Sequence, residues 1–113
     1  DNWIWGLDLD THEAWMIRPR EGRESVGHEY WLTDGVHVGY RGRWPDRKSL
    51  IGRIRYDNVD RVEFKFPHIT GHTHSNDFSL IVGDRGVVRL WRWDGEELEG
   101  PRIFCEHRSS FHT

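Results

Sequence analysis

His28-Glu29-Tyr30-Trp31-Leu32-Thr33-Asp34-Gly35-Val36-His37-Val38-Gly39-Tyr40 decides the fold of this chain. Two short runs rich in aromatic and β-branched residues flank Asp34-Gly35, the dipeptide that most favours a tight β-turn, so the stretch predicts a hairpin. Downstream, a loop from Arg41 to Ser49 holds Gly42, Trp44 and Pro45. A third strand over 50–56 then turns at Asp57-Asn58 into a fourth over 62–66. Four strands joined in this way form a meander. Upstream, a strand over 3–8, a turn at Leu9-Asp10-Thr11-His12 and a strand over 14–17 read as another hairpin, followed by the polar loop Arg18-Pro19-Arg20-Glu21-Gly22-Arg23-Glu24.

The pattern recurs. Setting His28 on His72 (72 − 28 = 44) places Val36 on Leu80, Val38 on Val82 and Gly39 on Gly83. Past a loop shorter by seven, the offset becomes 87 − 50 = 37, and Tyr56-Asp57-Asn58 falls on Trp93-Asp94-Gly95. Leu9-Asp10-Thr11 is a weaker third copy of that turn. A four-stranded unit repeating every ~40–45 residues marks a β-propeller blade. The expected fold is therefore all-β: the end of one blade over 1–24, a full blade over 25–66 and most of the next over 67–113, about two and a half blades of one propeller domain. Composition agrees, with seven tryptophans against a single alanine and a single methionine. Blades bury their faces against neighbours, so further blades are expected in a longer parent protein.

Composition also excludes function classes. Net charge is -3, with sixteen basic and nineteen acidic residues dispersed along the chain, so bulk binding to nucleic acid or an anionic membrane is not expected. No apolar run reaches the ~20 residues of a membrane span. Cys105 is the only cysteine, which rules out an internal disulfide and fits a reducing compartment.

Pro67 to Asp84 carries the chemistry, with His68, His72 and His74 placed where a sheet begins. On extended backbone, His72 and His74 point to one face and Thr73 to the other. Imidazoles so placed suit a divalent metal site; the competing reading is a set of hydrogen-bonded polar channel residues. His12, His37 and His107 read as ordinary strand or turn residues. Arg18 and Arg20, flanking Pro19, could offer two guanidinium forks to substrate carboxylates, or simply pair with Glu21 and Glu24. Trp3, Trp5, Trp15, Trp31, Trp91 and Trp93 read mostly as strand core, and Trp44 as the most exposed tryptophan. Asp8, Asp10, Asp57 and Asp94 read as turn residues.

Gly27-His28-Glu29-Tyr30-Trp31, Asp34-Gly35, His72-Thr73-His74-Ser75-Asn76-Asp77 and Cys105-Glu106-His107-Arg108-Ser109-Ser110-Phe111-His112 together resemble the oligogalacturonate lyase family. That resemblance implies a seven-bladed propeller lyase of the cytoplasm, acting on short galacturonides from pectin by β-elimination with a divalent metal, typically Mn2+. It places His28 at the active site and His72, with His74 as the near alternative, on the metal. The family's remaining ligands come from a Gln-x-x-His-x-His segment expected directly after Thr113. One position departs: the family's catalytic arginine opens an Arg-Ile-Trp strand, and this chain has Trp3-Ile4-Trp5 there. An indole cannot abstract a proton from carbon, so either another residue, His28 or one of Arg18 and Arg20, is the base, or the propeller binds oligouronides or a protein partner without cleaving them.

Overall fold

The computed structural model describes residues 4–68 and 70–106, the last two by backbone alone. Trp3, Ile69, His107 and the motif around His112 lie outside the described residues. Those described form ten strands, all paired antiparallel, and no helix. β1 (Ile4–Leu7) pairs with β2 (Ala14–Arg18). A four-stranded sheet follows in chain order: β3 (Ser25–Trp31), β4 (His37–Arg43), β5 (Ser49–Arg55) and β6 (Val62–Lys65). A second repeats that order with β7 (His72–Ser75), β8 (Leu80–Arg85), β9 (Val87–Trp93) and β10 (Leu98–Glu106). The chain divides after Pro67 into two compact units, β1–β6 and β7–β10. No helix among the described residues is long and apolar enough to cross a membrane.

The turns form as their sequences dictate. Asp34 Oδ1 accepts the Val36 and His37 amides at 2.9 and 3.0 Å, with Gly35 at φ +72°. Asp8 and Asp94 make the same two-amide turn. These backbone donors stabilise the ionised carboxylates, holding Asp34 down to about 2 and placing Asp8 and Asp94 below the usual range.

In the first unit, Ile4 and Ile17 pack with Val26, Val38, Tyr40, Leu50 and Ile54. Strand alternation sends Ile4 and Gly6 inward and leaves Trp5 59% exposed. Trp31 is 55% exposed as well, so the tryptophans are not uniformly core, and Trp44, expected outside, is half-buried. Close packing depends on glycines lying under aromatic rings. Gly52 pairs with Tyr40, and a Cβ on it would stand 2.5 Å from the ring. Tyr40 is fully buried and cannot swing aside. Gly52→Ala should therefore destabilise the unit by ~1–3 kcal/mol, read as a lower urea midpoint at constant slope. Gly27→Ala, with nothing within 4 Å, should stay within ~0.5 kcal/mol.

The second sheet repeats the first in strand order, with a different register from the one expected. Val38 pairs with Ile54, Ile81 pairs with Trp91, and all four are buried. The matching offsets are 81 − 38 = 43 and 91 − 54 = 37. An offset of 44 would set Val38 on Val82, which is only partly buried. A one-residue slip exchanges the faces of a strand, and burial selects 43. β10 has no counterpart in the sequence reading, because Gly100-Pro101 interrupts it. As an edge strand it tolerates a residue without an amide donor, and its pairing with β9 is irregular between Glu99 and Arg102.

Candidate functional site

β7 delivers His72 and His74 as its period demands: Thr73 and Ser75 are buried, and both histidines are exposed. His72 Nδ1 lies 3.5 Å from Asp84 Oδ1, and the same oxygen accepts the His72 amide at 2.8 Å. Asp84 stands opposite His72 on β8. His74 Nε2 lies 3.2 Å from the Asn76 side-chain oxygen, which can only accept. Imidazoles oriented through the other nitrogen by an oxygen are what metal centres use. The fit to a divalent cation is partial: among the described residues no group of three His, Cys, Asp or Glu side chains is placed to hold one.

His28 sits on β3 and is exposed. Gly27 pairs with Arg41 and Tyr30 with Gly39, so His28 and Glu29 together oppose Tyr40 in a β-bulge. With β4 matched to β8 by 84 − 41 = 43, Gly27, not His28, is the counterpart of His72. His28 is the extra residue, held at φ +53°. Left-handed backbone costs a non-glycine residue ~1–2 kcal/mol, and bulges re-aim side chains beside functional sites.

Arg18 and Arg20 do not form a matched pair of forks. Arg18, 2% exposed, makes 3.0 Å ion pairs with Glu24 and Glu63 and donates to the Pro19 carbonyl. Glu63 also accepts from the Tyr40 hydroxyl at 2.5 Å and from Trp44 Nε1 at 3.1 Å. Burial opposes the Arg18 charge, yet the two carboxylates outweigh it and keep its pKa above the ordinary value. Burial likewise opposes the Glu24 charge, but the Glu21 amide and the Arg18 guanidinium pull its pKa down to about 2. Arg18 thus fastens β2 to the sheet instead of standing open to a substrate carboxylate. Arg20 is exposed, its Nε donating to the Gly22 carbonyl at 2.7 Å.

His37, read from the sequence as an ordinary strand or turn residue, is one whose ring bridges Asp34 at 2.6 Å and Asp60 at 2.9 Å. Arg53 joins Asp60 at 3.0 Å, so four side chains tie the β3–β4 turn to the β5–β6 turn. The Asp34-to-His37 spacing was visible; Asp60, twenty-three residues away, was not. Comparison of the chain with protein-family models, with curated proteins and with solved structures finds no match.

Proposed function

We propose that the chain is a segment of a β-propeller of the oligogalacturonate lyase type, cleaving short galacturonides by β-elimination. The observation that carries this reading is the pair His72 and His74, aligned on the exposed face of β7 with an oxygen beside each ring. The succession of two four-stranded antiparallel meanders, with apolar side chains exposed on β1 (Trp5, Leu7) and β10 (Ile103, Phe104), supports blades packed against further blades.

Held by the His72 and His74 imidazoles, a divalent cation, manganese in the resembled family, would supply positive charge against the enolate-like charge of the transition state. His28, presented by its bulge, would remove the proton from the carbon next to the uronate carboxylate. Arg20 would hold that carboxylate. The electron pair of the broken C–H bond then forms the double bond as the glycosidic oxygen leaves the neighbouring carbon. The resemblance also implies work in the cytoplasm. A second reading, a propeller that binds oligouronides without cleaving them, is favoured by Trp3 where the family carries its catalytic arginine.

Turnover of unsaturated digalacturonate by the manganese-loaded protein decides between them. Formation of ketouronate, reduced ~10²–10⁴-fold by His28→Ala and lost in His72→Ala without recovery in excess manganese, is the expected result. Tight binding of the disaccharide with no product would establish the binding module instead.

A further inference from the structure

In the second unit, His68, Arg85, Arg89, Trp91 and Pro101 line a cleft of about 310 Å³, at the lower end of small-ligand pockets. The strands build it. Val87, Arg89 and Trp91 alternate onto one face of β9, and the pairs Gly83↔Arg89 and Arg85↔Val87 bring β8 residues to the same face. A Cβ on Gly83 would meet the Trp91 ring at 2.9 Å, so its absence lets the indole lie over β8 as a floor. The His68 ring stands 5.1 Å from that indole. Gly86, at φ +75°, turns β8 into β9 within a single residue and sets both arginines at one end. Arg89 Nη1 donates to the Arg85 carbonyl at 3.3 Å, which steadies its guanidinium.

Two cations converge on this one cleft. Among the described residues neither Arg85 nor Arg89 forms an ion pair, and no acid among them lines the cleft. Two guanidinium groups beside a buried aromatic floor repel each other until an oxyanion joins them. Burial and then the Arg89 charge hold His68 below the usual pKa, which keeps a neutral imidazole able to donate and accept toward hydroxyl groups.

We propose that this cleft binds a small sugar acid, its carboxylate held by Arg85 and Arg89 and its hydroxyl groups by His68. The choice of a sugar acid rests on the lyase reading; the demand for an oxyanion rests on the arginines alone. The test is calorimetric titration of digalacturonate into the full chain in the presence of a chelator, so that binding is measured without turnover. Arg89→Gln and Arg85→Gln should each weaken binding by about tenfold or more, Arg89→Lys should fall between, and affinity should drop as salt is raised. Arg85 is exposed, so its replacement leaves the sheet folded and keeps the test sharp. Unchanged affinity in both glutamine variants overturns the proposal. Inorganic phosphate binding through Arg89 while digalacturonate fails to bind overturns the sugar acid. Arg89-dependent binding in a protein that gives no product with manganese withdraws the lyase reading and leaves this site standing.

Discussion

Arg18→Met should destabilise the protein by about 3–5 kcal/mol, the cost of leaving buried charges without their partner. Glu24 and Glu63 side chains are only 6% and 13% exposed, so water cannot replace the guanidinium. The pH dependence should change sign as well. In the native protein Glu24 is depressed from 4.5 to about 2, so its stabilisation is present above about 4.5 and is lost as pH falls through about 2. In Arg18→Met the buried Glu24 carboxylate, left without its guanidinium, gains from protonation, and stability should rise as the solution is acidified from neutrality toward pH 5. Urea midpoints from pH 7 down to pH 2 measure both effects. Adding Glu24→Gln should recover part of the loss, while Arg20→Met, on the same loop but exposed, should move the midpoint little. A loss under 1 kcal/mol in Arg18→Met, paired with weaker uronide binding, would return Arg18 to the role of a substrate clamp.

Trp91→Ala should cost a similar ~3–5 kcal/mol in the second unit. The ring is 1% exposed, sits against the positions of Gly83 and Gly100, faces Ile81 across the strands and touches His68. Glycines on two neighbouring strands cannot grow to refill the space, so the cavity persists and its lining loses contacts outright. Trp93→Ala, two residues on and only partly buried, should cost far less. Thermal unfolding of the two variants makes the comparison. Equal losses would show that the floor of the cleft is not the centre of packing in this unit.

Much of the candidate site was legible because its geometry is local. His72 and His74 lie two positions apart, and a strand's period fixes their common face whatever surrounds them. Asp34-Gly35 sets its turn through amides two and three residues away. For Arg18 the sequence left two readings open, a substrate fork or pairing with Glu21 and Glu24; Glu24, six residues on, is the partner the structure selects, while Glu63, forty-five residues on, was out of reach of any loop motif. Arg85 and Arg89 drew no attention in the sequence, since only the pairing of β8 with β9 brings them to one cleft.

By itself the sequence determined that this chain is all-β, where its hairpins turn, and that the strand pattern of one four-stranded run begins again in the next, since alternation and turn chemistry act over a few residues. Tertiary structure alone decided the repeat offset of 43, the bulge that lifts His28 out of equivalence with His72, which tryptophans are covered, and which arginines are paired. Each of those depends on which face of a strand meets another, and a shift of one residue reverses that answer without altering any local preference.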